Sequence, residues 1–184
     1  PYLNAQNPEL RASAIMVLGQ LLGAEFEDHV IRALKDPSPE VRRAAVTVLD
    51  DHPYEGQIRA LKMALTDEDA EVRSQAAEVL GRIEHPQAVE ALGLACRDED
   101  IWVRSTAVRS LGHFENEEAF SFVSRAADDP VGLVTIAALE TLTAIDARQA
   151  RPSLLGALHH GDEEVVKAAL QLLFSSGDMD WTRE

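Results

Sequence analysis

Displaced against itself by 31 residues, the chain falls into register through six successive copies, and no other feature constrains its fold as strongly. One column of that alignment reads Leu10, Val41, Val72, Val103, Val134, Val165, and a second reads Ala14, Ala45, Ala76, Ala107, Ala138, Ala169. A third reads Leu18, Leu49, Leu80, Leu111, Leu142, Leu173. Residue size and register both survive without an insertion, which chance does not arrange. A fixed period of this length marks small supersecondary units whose apolar faces only their neighbours can cover, so the chain is expected to stack.

Within a unit the apolar residues recur at helical spacing, as in Val72, Ala76, Val79, Leu80 and Ile83. The start of this first helix is marked by the column Asn7, Ser38, Asp69, Asp100 and Asp162, whose side-chain oxygens can accept from the free N–H groups of the first turn. Pro8 and Pro39 follow at the first helical position, where a missing N–H costs nothing, and Val131 alone interrupts the column. Breaks at Gly23, His52-Pro53, His85-Pro86 and Asn116 precede a second stripe, Val89, Leu92 and Cys96 in the third unit. Beside it runs the small column Ala33, Ala64, Ala95, Ala126, Ala157, which lets helices approach closely. The unit is helix, turn, helix, turn, with bounds near 7–36, 37–67, 68–98, 99–129 and 130–160 and a partial copy at 161–184. Residues 1–5 align with the last turn of a second helix, and Leu170, Leu172, Leu173 and Phe174 are expected to lack their usual cover. Residues 1–184 are therefore read as one array, cut from a longer one.

Composition agrees with close helix packing: 46% of residues are hydrophobic but only 5% aromatic, so the core must be small and aliphatic. A net charge of −15 opposes phosphate backbones and anionic lipid, which makes nucleic acid an unfavoured partner. No apolar run approaches the ~18 residues a membrane span needs. The solitary Cys96 excludes an internal disulfide and any Cys-x-x-Cys metal spacing. A reducing compartment is allowed and the cytoplasm is the expected location, a signal upstream of Pro1 being left open.

The segments DPSPEVRRAAVTVLD (36–50), DEDAEVRSQAAEVLG (67–81) and DEDIWVRSTAVRSLG (98–112) resemble the bacterial and cyanobacterial PBS-lyase HEAT-like repeats. The shared pattern is aspartate, short turn, valine-arginine, alanine, leucine-glycine; it is strongest over 36–112 and fades after 129. The resemblance implies an all-α, right-handed solenoid of stacked HEAT-type hairpins. It leaves function open, since members include scaffolds, phycobilin lyase subunits and relatives of a di-iron hydroxylase. It also gives a role to the column Arg11, Arg42, Arg73, Arg104: in HEAT proteins this arginine joins the aspartate six residues earlier, in a ladder between units. The pairs expected here are Asp36 with Arg42, Asp67 with Arg73 and Asp98 with Arg104, ending at Asp129, where the arginine column holds Thr135.

Second helices of such arrays line the concave side, and their exposed columns carry Arg32, Lys35, Arg59, Lys62, Arg97 and Arg125. Six of the 17 basic residues thus fall on one expected surface of an acidic protein, enough to focus a positive potential or simply to solvate a helix face. Trp102 replaces a carboxylate in the column of Glu9, Glu40, Glu71, Leu133 and Glu164, and Phe122 is out of character beside His29, Ala60, Ala91 and Ser153. Both are candidate binding aromatics, with packing against a neighbouring hairpin as the plainer role. Val131, Leu133 and Ile136 give the fifth unit an apolar patch. The six histidines fall in different columns, and none forms the His-Glu dipeptide that the di-iron relatives require; Glu84-His85 is reversed. Cys96 lies in the column of Leu34, Leu65, Ala127 and Leu158, as a buried thiol should. No catalytic constellation, metal set or cofactor is expected. The function anticipated is a scaffold or adaptor that holds a protein or peptide partner, acidic in character, on its concave face. The alternative is a phycobilin lyase-like subunit cradling a tetrapyrrole and its carrier protein.

Overall fold

A computed structural model describes residues 2–22, 27–51 and 56–176, in which α-helices follow one another with no strand among the described residues. The breaks expected at Gly23 and His52-Pro53, and the chain beyond Ser176, lie outside the described residues. The chain divides into two compact units, residues 1–83 and 84–184.

In the first unit a 3-10 turn at Tyr2–Asn4 precedes α1 (Pro8–Leu22), α2 (Glu27–Ala33), α3 (Pro39–Asp51), α4 (Gln57–Ala64) and α5 (Ala70–Leu80). The first helices of successive repeats stack, α1 on α3 and α3 on α5, while α2 packs on α3 and α4 on α5. Leu49, Leu61 and Leu80 are fully buried, each removing apolar surface worth roughly 1.5–3 kcal/mol. On α1 the columns buried elsewhere are bare: Leu10 is 44% and Val17 52% exposed, against 2% for Val41 and 1% for Val48. With Tyr2, Leu3 and His29 they line an apolar cavity of about 480 Å³.

In the second unit α6 (Pro86–Ala95), α7 (Ile101–Leu111), α8 (Glu117–Ala126), α9 (Gly132–Ala157) and α10 (Glu163–Ser175) repeat the scheme, with α7 on α9, α9 on α10 and α6 beside α8. Of the expected caps, Asn7, Asp69, Asp100 and Asp162 form. Asp69 and Asp100 each accept from two N–H groups of the first turn, Asp162 accepts from Glu164, and His85 and Asn116 cap the second helices α6 and α8. Val131 makes no side-chain cap. The fifth hairpin differs from the third and fourth, whose links span 81–85 and 112–116, because its link is Asp146 alone, held extended within α9 at φ −157° and ψ 103°. Its carboxylate accepts from the N–H groups of Arg148 and Gln149 and so starts the second arm of α9. Those hydrogen bonds hold the Asp146 carboxyl below its ordinary range. On α10, Leu170 and Phe174 are exposed, but Leu173 is buried, contrary to the expectation for the last repeat.

Candidate functional site

The joints between consecutive hairpins concentrate most of the buried charge. Arg42 donates from Nε and Nη2 to the two carboxylate oxygens of Asp67 at 2.7 and 2.8 Å, while Nη1 donates to the carbonyls of Asp36 and Pro37 at 2.8 and 3.3 Å. Arg11 grips Asp36 and the carbonyls of Ala5 and Gln6 in the same way. Arg104 does so with Asp129 and the carbonyls of Asp98 and Glu99. Each of these aspartates also uses Oδ1 to close its own turn, accepting from Ser38, Asp69 or Val131. Such bidentate, charge-assisted geometry is the strongest a side-chain pair offers, and Arg42 and Asp67 are nearly buried.

The expected pairing is therefore corrected. Arg42 meets Asp36, six residues back, only through its main-chain carbonyl; its carboxylate partner is Asp67, 25 residues ahead. Arg104 likewise takes the carbonyl of Asp98 and the carboxylate of Asp129. Arg73 donates to the carbonyls of Asp67 and Glu68, while the Asp67 carboxylate is held by Arg42, and the Asp98 carboxylate accepts from the N–H of Asp100. The reason is geometric. The aspartate side chain points toward the preceding hairpin and its own turn, so only its carbonyl faces the arginine of its own unit. Asp129 is thus a full member of the ladder, and the missing link is the next one. There Thr135 Oγ1 donates to the Asp129 carbonyl at 2.9 Å, and His160 Nδ1 accepts the N–H of Asp162 at 3.0 Å. Hydrogen bonding from Arg11, with help from the Ser38 N–H, holds the Asp36 carboxyl below the usual range.

Above two of these ion pairs lie cavities. One, of about 290 Å³ in the first unit, is lined by Asn4, Arg11, His29, Arg32, Lys35 and Asp36 among others. The second, of about 360 Å³ in the second unit, is lined by Arg97, Arg104, Phe122, Arg125, Asp128 and Asp129 among others. The structure thus brings Arg32 to Lys35, and Arg97 to Phe122 and Arg125. Arg59 and Lys62 are exposed on α4 and line neither cavity. Trp102, 63% exposed in the first turn of α7, also stands apart. Phe122 packs against α6 at Gly93, where a β-carbon would fall inside the ring's van der Waals contact, so its packing and its place on the cavity wall coincide. Cys96, on the same wall, is buried, and desolvation pushes its thiol up to about 12, leaving it unreactive near neutral pH. No group of three or more His, Cys, Asp or Glu side chains among the described residues could hold a metal ion. No described helix is long and apolar enough to cross a membrane.

A sequence profile of HEAT repeats matches residues 1–71 and 58–143, and the chain belongs to that family. No protein of curated function matches it in sequence. Among solved structures it is similar to the CpcE–CpcF complex of phycocyanin lyase from Nostoc sp. PCC7120, at 21% identity and a TM-score of 0.62 over 94% of this chain and 73% of that one. Human deoxyhypusine hydroxylase is similar at 21% identity and a TM-score of 0.56, over 94% and 70% of the two chains. A designed armadillo repeat protein in complex with the peptide (KR)4 is similar at 22% identity and a TM-score of 0.55, over 94% and 95%. At these identities the likeness is one of fold: an all-helical α-solenoid of stacked hairpins.

Proposed function

We propose that the chain is a scaffold or adaptor that holds an acidic segment of a protein partner along its second helices. The observation that carries this reading is electrostatic. Arg32, Lys35, Arg97 and Arg125 are exposed, have no carboxylate in ion-pair range among the described residues, and sit on a protein of net charge −15. Cations kept free on an acidic body attract an acidic ligand and discourage basic ones. The (KR)4 complex of a designed relative is a precedent for peptide recognition on this architecture, with the charge reversed. Within the family, the resemblance of the units at 36–50, 67–81 and 98–112 to the PBS-lyase HEAT-like repeats supports reading the chain beside those proteins. The test is recovery of the partner by the chain and by a variant carrying Arg32→Glu and Arg125→Glu. The variant should keep its helical circular dichroism and lose the partner, as should the wild type when salt shortens the Debye length from about 8 Å to about 3 Å. Retention by the variant in high salt would refute the reading.

The likeness to CpcE–CpcF favours a second reading, in which the array cradles a tetrapyrrole and its carrier protein. A new visible absorption band on mixing the chain with free bilin would support it; an unchanged spectrum alongside a stable protein partner would remove it.

A further inference from the structure

The two cavities are the same place in the repeat. Asn4, Arg11, His29, Arg32, Lys35 and Asp36 become, three periods later, Arg97, Arg104, Phe122, Arg125, Asp128 and Asp129, position for position. In both, the floor is a ladder pair whose charges satisfy each other: Arg11 with Asp36, Arg104 with Asp129. The rim is what varies. In the first unit it carries Arg32 and Lys35 with no opposing rim carboxylate; in the second it carries Arg97 and Arg125 against Asp128. Each rim is left net positive. The wall column holds His29, whose Nδ1 contacts Arg32 Nη2 at 2.9 Å, and Phe122, which gives a flat apolar surface. At the joint of α3 with α5 the same columns hold Lys35, Ala60, Met63 and Thr66, and at that of α9 with α10 they hold Asp128, Ser153, Gly156 and His159. Neither combines a pair of rim cations with a ring.

We infer that each cavity is a subsite for one side-chain carboxylate of a peptide, the two rim cations (Arg32 with Lys35, or Arg97 with Arg125) gripping the oxygens and the ring of His29 or Phe122 bearing the aliphatic stem. The floor keeps this selective. A basic side chain entering the cavity meets the rim cations first, and the only floor carboxylate is already saturated by arginine. A glutamate meets the guanidinium of Arg32 in one cavity and those of Arg97 and Arg125 in the other, each without a carboxylate partner among the described residues and able to pair with it in a planar, two-bonded geometry. The inference rests on the acidic-partner reading and narrows it from a diffuse surface to two repeat-phased positions.

The test uses the whole chain and two synthetic peptides, one alternating glutamate with alanine and one with glutamine in place of glutamate, followed by fluorescence anisotropy and arginine side-chain NMR. The glutamate peptide should bind and the glutamine peptide should not. Arg32→Gln and Arg125→Gln should each weaken binding about tenfold, the size of one charge-assisted pair. Arg59→Gln, on the same set of helices but outside both cavities, should change it less than about twofold. Losses at Arg59→Gln equal to those at Arg125→Gln would overturn the subsites while leaving the acidic-partner reading standing. Equal binding of the two peptides would overturn both. Arg125→Lys separates the roles further: recovery of full affinity would mean that charge alone matters and would remove the two-bonded geometry.

Discussion

The joints on either side of α9 solve one packing problem in two ways. Between α7 and α9, Arg104 closes the turn at Asp98 and Glu99 and also binds the Asp129 carboxylate, so one side chain ties two hairpins. Between α9 and α10 the two tasks are separated. Thr135 closes the turn at Asp129, His160 takes the acceptor role in the next turn, and no ion pair joins them. Closeness replaces the tie, with Gly132 lying against the Asp162 carboxylate and Val165. The ladder is therefore not what makes hairpins stack, because burial of Val134, Ala138, Leu142 and Val165 suffices at the untied joint. It fixes how they stack, since a bidentate pair tolerates little sliding.

The largest effect should follow from breaking the tied joint. Arg104→Met strands the nearly buried Asp129 carboxylate and should cost about 3 kcal/mol, whereas Thr135→Val loses one neutral hydrogen bond and should cost about 1. Urea unfolding with amide exchange read helix by helix would check this, because arrays unfold locally. Equal losses would mean that the two joints differ in appearance only.

Acid should do reversibly in the first unit what Arg104→Met does in the second. The Asp36 carboxyl is held below its unfolded value of about 3.9, so its contribution is complete above that pH and disappears as pH falls through the lower folded value. Exchange protection of α1 against α3 should decline only below about pH 4, and Asp36→Asn should remove that dependence while leaving the pH 7 fold helical.

The repeat period shows why part of this was legible and part was not. Helices, caps and core columns were readable because they are local: Asp69, Asp100 and Asp162 cap helices whose stripes lie within the next dozen residues. The ladder's partners were not. Asp36 and Asp67 stand at fixed offsets before and after Arg42, and a strict period preserves both offsets equally, so no column could say which carboxylate faces the guanidinium. The cationic columns were visible too, but Arg59 and Lys62 read the same as Arg32 and Lys35. Only the folded joint shows that the loop end of one hairpin and the second helix of the next share a cavity. Asp146 was missed because its cap falls one residue before the column of His85 and Asn116.

Installing the tie should sharpen the contrast. Thr135→Arg alone buries a guanidinium beside His160 and should destabilise; adding His160→Asp should recover about 1–3 kcal/mol as a coupling energy in a double-mutant cycle. No coupling would show that the close approach at Gly132 has shifted this joint out of ladder register. Gly132→Ala probes that approach directly. Its β-carbon would collide with Asp162 and come within 3.1 Å of Val165, and overpacking of this kind costs about 1–3 kcal/mol. A neutral result would mean that α10 can move away freely.

The smallest effect is expected at Gly156, in the second arm of α9. It occupies the column of Arg32 and Arg125, but a β-carbon there would meet nothing within 4 Å, and the residue is exposed and helical. Glycine in mid-helix costs roughly 0.5–1 kcal/mol relative to alanine through backbone entropy, an upper bound for Gly156 in the last turn of α9, with no contact here to offset it. Gly156→Ala should therefore stabilise by up to that amount, read as a small rise in the urea midpoint with unchanged slope. Because this joint carries no rim cation, binding of the glutamate peptide should not change. A loss of affinity on adding one methyl group would place the peptide across the α9–α10 joint as well, and would show that stacking without the ladder still builds a binding groove.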